Sequence, residues 1–230
     1  MILFSQLSHL YQKKTALEDI NLRIEAHTLT AIVGPNGAGK STFLKIIAGL
    51  IKPSQGHFSY QYPFTLAYLP QQSGLDKTFP LSVKDVVAMG LWPQLGLRKG
   101  MNQAQHLSLE QAIETVGLKN VENHSLDSLS GGQFQRVLFA RLMLQDANVL
   151  LLDEPFAAVD EATTQDLLIL LQHWHQQGKT ILAVMHNLSL VRHFFPETVV
   201  LAKNLVAHGP SDEILTTDNL LHAHGIMGAS

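Results

Sequence analysis

An α/β fold with a mainly parallel sheet and an inserted helical segment is the architecture this sequence predicts, on three observations. Leu29–Val33 is a short apolar run that leads into Gly34-Pro35-Asn36-Gly37-Ala38-Gly39-Lys40-Ser41-Thr42, after which apolar residues recur at helical spacing. Val149–Leu152 is an unbroken apolar run, as in a central parallel strand buried on both faces, and it ends in Asp153-Glu154. Between these two strands, from about Ser73 to Gln145, the patterning turns mostly helical.

Composition narrows the possibilities. With 230 residues, 46% apolar and 15% charged, the chain suits one large domain or two small ones with a substantial core. A net charge of −3 gives no sign of a surface for nucleic acid or anionic lipid. The absence of cysteine excludes disulfides, zinc-thiolate centres and thiol nucleophiles, and suits a reducing cytosol. No apolar run approaches the length of a membrane span, and the first residues lack a signal-peptide pattern. Any action at a membrane is therefore expected through a partner.

Residues 2–10 read as a strand with Tyr11 at its end, and Ala16–Ile24 alternates as a second strand after a polar turn. Tyr11 is either a half-buried strand residue or a platform on which an adenine ring stacks. The stretch Gly34 to Thr42 fits G-x-x-x-x-G-K-[ST], a phosphate-binding loop in the strand–loop–helix context its mechanism requires. Its glycines let backbone N–H groups wrap phosphates, and the helix N-terminus adds a favourable dipole. Lys40 is expected to reach the β- and γ-phosphates, Ser41 to ligate Mg²⁺ and Thr42 to add a hydrogen bond. A nucleoside triphosphate is the ligand this pattern predicts.

Lys52–Gly56 reads as a turn, Phe58–Tyr62 as a strand and Leu66–Leu69 as a short strand ending at Pro70-Gln71-Gln72. The glutamines either ligate a metal and orient a water through their carbonyl oxygens, or form a polar loop. In the helical segment, Ser82-x-x-Asp85 resembles a capping box opening a helix with Val83, Val86, Val87 and Met89 on one face. Pro93, Gly96 and Gly100 mark a loop carrying Arg98 and Lys99, and residues 103–116 form a second helix. Phe79, Leu91 and Trp92 are core by default and a docking surface in the alternative.

Ser130-x-x-Gln133, within Leu129-Ser130-Gly131-Gly132-Gln133, is another capping box. Glycines at the first two helical positions weaken a helix, and their use makes sense if a large anion approaches those N–H groups. Asp153 and Glu154 stand at the C-terminal end of a buried strand, where open α/β sheets place their ligands. Asp153 suits Mg²⁺ opposite Ser41, and Glu154 is placed to accept a proton from water. Asp160–Gln177 is a helix. Thr180–Met185 is a buried strand with His186 at its end, either a hydrogen-bonded turn residue or a γ-phosphate contact. Val199–Leu201, Val206-Ala207 and a helix from about Ser211 complete the pattern.

Together these residues resemble the ATP-binding cassette ATPases over essentially the whole chain. The most specific feature is Leu129–Gln133, which resembles the family signature LSGGQ, about twenty residues before the strand that carries Asp153 and Glu154. The resemblance implies an α/β P-loop NTPase core with a mainly parallel sheet, an antiparallel β subdomain and an inserted helical subdomain. Residues 1–72 and 146–230 would form the core with its β subdomain, and about 73–145 the helical part, in a single ATPase domain. It implies an adenine-stacking Tyr11, a Q-loop Gln71 that contacts Mg²⁺ and water, a D-loop Asp160 and a switch His186. Gln71 is preferred to Gln72 because it directly follows the strand and Pro70. Lys40, Gln71, Glu154 and His186 would carry catalysis, with ATP and Mg²⁺ bound at Gly34 to Thr42 and at Asp153.

In that family two cassettes pair head to tail, so Ser130, Gly131, Gly132 and Gln133 would meet ATP held by the opposite subunit. One copy of each motif implies a second copy of this chain as partner. Transmembrane permease subunits and, indirectly, an extracytoplasmic solute-binding protein are the other implied partners, with no nucleic acid. The implied location is the cytoplasmic face of the membrane, reached through the permease. Finer resemblance is to the zinc, manganese and iron(II) importers, carried by residues 71–76, by Phe79 to Gly90 and by Asp153-Glu154-Pro155-Phe156-Ala157-Ala158-Val159-Asp160. Phe79, Val83, Val87 and Trp92 would line the groove that receives a permease helix. Met185 and Asn187 flank the switch histidine where Thr or Ser and Asp are commoner.

A siderophore, heme or other small-solute transporter is the nearest alternative. A soluble cassette of DNA repair or translation is disfavoured, because Lys40 and Ser130 are only 90 residues apart without a heptad run, and one cassette is present. His222 and His224 are expected to be solvated, and His173 and His175 do not share a helix face.

Overall fold

The computed structural model describes residues 1–71, 80–95, 100–157 and 159–225. Gln72, Phe79, Gly96, Arg98, Lys99 and Ala158 lie outside the described residues. Contacts divide the chain into two compact units, one of Met1–Gln71, Asn148–Pro155 and Gln172–Ser230, the other of Gln72–Ala147 and Phe156–Leu171.

The first unit opens with β1 (Ile2–Tyr11) and β2 (Lys14–Ile24), followed by β3 (Leu29–Val33), α1 (Lys40–Ile47), β4 (Gln55–Tyr60) and β5 (Leu66–Leu69). The second unit contributes α2 (Val83–Ala88), α3 (Trp92–Leu95), α4 (Gln103–Thr115) and α5 (Gly131–Gln145). The chain then forms β6 (Val149–Asp153) in the first unit and α6 (Glu161–Gln176), which starts in the second unit and ends in the first. The rest of the first unit is β7 (Thr180–Val184), α7 (Leu188–Phe194), β8 (Glu197–Ala202), β9 (Asn204–Pro210), α8 (Ser211–Ile214) and α9 (Thr217–Ala223).

Two sheets build the first unit. One is antiparallel, in the order β2-β1-β4; the other has the order β5-β6-β7-β3-β8-β9 and is parallel except for β9. β3, β6 and β7 are buried along their whole lengths, which is why they read as largely apolar runs. Their parallel pairing brings the residues after Val33, Val184 and Leu152 to one edge of the sheet. The core joins both sheets: Phe43 of α1 is fully buried and its ring lies 4.8 Å from that of Phe4 on β1. Leu17, Ile32, Leu151 and Leu182 belong to the same cluster.

Several expectations are corrected. Val83 and Val87, expected to line a docking groove, are fully buried, and Pro93, expected in a loop, lies in α3. β4 spans 55–60, not 58–62, because pairing with β1 runs from Ile2↔Tyr60 to Ser8↔Gln55 and draws Gln55 and Gly56 into the ladder. Trp92 is 61% exposed and is no part of the core, whereas Leu91 beside it is buried. α7 was not expected, yet Asn187 announces it, accepting hydrogen bonds from the N–H groups of Ser189 and Leu190.

The second unit is mainly helical among its described residues, and α2, α4 and α5 start on capping boxes. Ser82 and Asp85 exchange them at α2, Asn102 and Gln105 at α4, and Ser130 and Gln133 at α5. Val83, Val86 and Val87 are fully buried. No described helix is long and apolar enough to cross a membrane.

Because Phe43 fills the junction of the two sheets, Phe43→Ala is expected to cost about 3–5 kcal/mol. Urea unfolding of the nucleotide-free chain checks this, and a loss below about 1 kcal/mol would show that the core is not centred there.

Candidate active site

The helix α1 is preceded by Gly39 as its N-cap, in a left-handed conformation, φ 90°, with no side chain capping the helix N-terminus. A Cβ at Gly39 would stand 2.3 Å from the Ala16 carbonyl oxygen, and one at Gly34 would stand 2.0 Å from that of Leu201. Both positions are closed to any other residue. The uncapped N–H groups of the first helical turn are thus left for an anion. Lys40 is 6% exposed, and its Nζ donates to the carbonyl oxygens of Gly34 (2.8 Å) and Pro35 (2.9 Å), curled over the loop it follows. Burial lowers the Lys40 pKa, while Glu154 and Asp153 work against that loss.

At the end of β6, Asp153 is 2% exposed. The Ser41 hydroxyl donates to its Oδ1 at 3.0 Å and the Tyr68 hydroxyl to its Oδ2 at 3.3 Å. Burial raises the Asp153 carboxyl above its ordinary value, opposed by those two hydrogen bonds. Burial, with the charge of Asp153 added, raises the Tyr68 phenol as well. Tyr68 was missed from sequence. It comes beside the end of β6 only through the β5–β6 pairing, where it stands opposite Leu151.

Glu154 adopts φ 52°, a left-handed conformation that costs a residue with a Cβ of order 1–3 kcal/mol. That turn aims its carboxylate at two other strand ends. Gln71 Nε2, just past β5, donates to Glu154 Oε2 at 2.8 Å, and His186 Nε2, just past β7, donates to Oε1 at 2.8 Å. A cavity of about 740 Å³ runs from Tyr11 across Asn36 to Thr42 and reaches Gln71, Glu154 and His186. Gly34, Pro35 and Asp153 support this cavity without lining it, among the described residues. Lys14, Thr15 and Ala16 also line it, and nothing in their residue types announced that. Tyr11 is 46% exposed at the cavity, so its ring is free to stack, and it meets His9 edge to face at 4.7 Å.

The remaining expected site residues lie in the second unit. Gly131 is exposed, while Gly132 is buried, and a Cβ at Gly132 would stand 2.8 Å from Asp160 Oδ2. The need for glycine at 132 therefore has a cause inside this unit, which the anion argument from sequence did not include. Asp160 accepts a hydrogen bond from the Thr163 N–H at 2.8 Å, which holds its carboxyl below the usual range. Met185 is buried, and Asn187 serves as the cap of α7, which accounts for both departures around His186.

Ser41 Oγ and Asp153 Oδ1 are hard oxygen donors, adjacent to a loop built for phosphate, and this set fits Mg²⁺, which keeps waters and substrate oxygens among its ligands. No group of three His, Asp or Glu side chains among the described residues is placed to hold a metal ion. His224 is tied to the Leu220 carbonyl and His173 to Gln177.

Two variants test the buried carboxylate. A raised pKa means that the native state keeps a proton the unfolded chain has already released above about 3.8, so stability falls as pH rises through that window. Asp153→Asn should therefore raise the melting temperature of the nucleotide-free protein at neutral pH, and the gain should shrink on acidification. Tyr68→Phe leaves a buried carboxylate oxygen without its donor and should cost about 1–3 kcal/mol. Thermal melts of the three proteins between pH 4 and 8 check both.

A model of the ABC transporter family matches residues 17–157. The manganese transport system ATP-binding protein MntB of Listeria innocua is 40% identical over 221 residues, covering 94% of this chain and 92% of the relative. The zinc transport system ATP-binding protein TroB of Treponema pallidum is 38% identical over the same share of this chain and 83% of its own length. Among solved structures, a dimeric ATP-binding cassette in a post-hydrolysis state bound to ADP and Pi superposes with a TM-score of 0.81. It is 25% identical and covers 92% of this chain and 99% of that one.

Proposed function

The chain belongs to the ABC transporter family, and we propose that it is the ATP-hydrolysing subunit of a transition-metal importer, with manganese as the first candidate cargo and zinc the second. The observation that carries the ATPase reading is the carboxylate of Glu154, held between Gln71 and His186 on the cavity that begins at the phosphate-binding loop. The names of the manganese and zinc relatives support the cargo.

In this reading the N–H groups of Gly37 to Lys40 take the phosphates, and Lys40 exchanges the Gly34 and Pro35 carbonyls for β- and γ-phosphate oxygens. Tyr11 receives the adenine ring. Thr42 adds a hydrogen bond, and Ser41 and Asp153 would hold Mg²⁺, which would supply positive charge to the phosphates. Glu154 accepts a hydrogen bond from a water, whose oxygen attacks the γ-phosphorus as the bond to the ADP oxygen breaks. ADP and phosphate are released, and the proton of the water leaves through the carboxylate. Gln71 and His186 hold Glu154 in its costly backbone conformation until nucleotide arrives. His186 then turns to the γ-phosphate, and Gln71 to the water, with its carbonyl oxygen free to serve as a further ligand that Mg²⁺ would take.

In this reading a second copy of this chain supplies Ser130, Gly131, Gly132, Gln133 and Asp160 to the same nucleotide; that a similar cassette is dimeric with ADP and phosphate bound supports the pairing alone. Residues 1–72 and 146–230 act as the nucleotide-binding core of a single ATPase domain, and about 73–145 as its helical part. Permease subunits dock on that helical part, placing the chain at the cytoplasmic face of the membrane, and an extracytoplasmic binding protein delivers the ion. The exposed Trp92 supports a docking face there.

Elemental analysis of whole cells lacking this protein, grown under metal limitation, tests the cargo. Cellular manganese, or zinc, is expected to fall selectively and to be restored by the wild-type chain but not by Glu154→Gln. Unchanged manganese and zinc would overturn the metal reading and leave the ATPase assignment standing.

A further inference from the structure

The helix α5 and the start of α6 are joined by one side chain to which sequence reasoning gave no role. Arg136 sits on the turn of α5 after Gln133, and only 20% of its side chain is exposed. Its guanidinium spans three partners: Nη1 donates to the Val116 carbonyl at 3.0 Å, and Nη2 to Asp166 Oδ2 at 2.6 Å and, more loosely, to Thr163 Oγ1 at 3.4 Å. The fork shape of arginine allows this set, and a lysine ammonium cannot reproduce it. Thr163 is also the residue whose N–H donates to Asp160, and both touch the space above Gly132, where a Cβ would meet Asp160 Oδ2 at 2.8 Å and Thr163 Oγ1 at 3.1 Å. The contacts therefore form a closed circuit of Arg136, Thr163, Asp160 and Gly132, all within the second unit.

We propose that Arg136 is a positioning residue that locks the Ser130–Gln133 turn and the Asp160 turn into one rigid piece, so that both meet the partner's nucleotide in a single step. Gly131 and Gly132 are the first two residues of α5, and helix geometry leaves their N–H groups without partners inside the helix. Their direction is set by the roll of α5. With Arg136 fixed to Asp166 and Val116, α5 cannot roll without moving α6, and Asp160 travels with it. The use made of this lock rests on the dimer reading above; the lock itself does not.

Arg136→Lys keeps the charge, and Asp166→Asn changes a side chain that is 60% exposed, so both variants should fold. Amide hydrogen exchange on the nucleotide-free chain comes first. Peptides covering residues 129–136 and 159–166 should lose protection together in each variant, while peptides from α1 and β6 do not change. Next, ATP-dependent dimerisation is followed in the Glu154→Gln background alongside ATP binding by the monomer. The ATP concentration at half-dimerisation should rise about tenfold in Arg136→Lys, with monomer binding unchanged, and the double variant should be no worse than the worse single one. Unaltered exchange in both peptides, or additive effects of the two substitutions, would overturn the proposal. If exchange changes as expected but the Glu154→Gln parent never dimerises with ATP, the lock stands and the dimer reading is what fails.

Discussion

A buried carboxylate governs this structure. Asp153 lies at the end of a strand with no exposed residue, at 2% exposure, and such a group is tolerated only when its oxygens are satisfied. Ser41 from the phosphate-binding loop takes one oxygen and Tyr68 from β5 takes the other. Three separated pieces of chain, the start of α1, the end of β6 and the middle of β5, are thereby held to one point. The next residue, Glu154, starts from that fixed point, and its left-handed backbone turns its carboxylate toward Gln71 and His186. If Asp153 were free to move, neither the loop nor Glu154 would have a defined position.

The parts of the fold that the sequence announced are those whose cause is local or strictly periodic. β3, β6 and β7 are buried along their whole lengths, so their largely apolar runs identified them. The phosphate-binding loop was legible because Gly34 and Gly39 are required by backbone approaches of 2.0 and 2.3 Å, which leave no choice of residue. The capping boxes at Ser82 and Ser130 are complete within four residues and were read correctly.

What escaped has causes distant in sequence. β4 was placed a few residues late because its start is set by pairing with Ser8 of β1 and not by its own residues. Tyr68 escaped because its partner, Asp153, is 85 residues away and is brought near only by the β5–β6 pairing. Arg136 escaped because a guanidinium on a helix has no local signature of the three groups it will bridge. Gly132 was read as serving an anion, while the structure gives it a second cause in the carboxylate of Asp160.

Hydrolysis through Glu154 is the claim on which the functional account turns, and one measurement addresses it directly. The steady-state ATPase rate of purified Glu154→Gln, compared with wild type at saturating ATP and Mg²⁺, isolates the carboxylate, since the amide keeps its size. The account predicts a fall of about 10²–10⁴-fold with ATP binding retained. A rate equal to that of the wild type would contradict it and move the reacting water away from the end of β6.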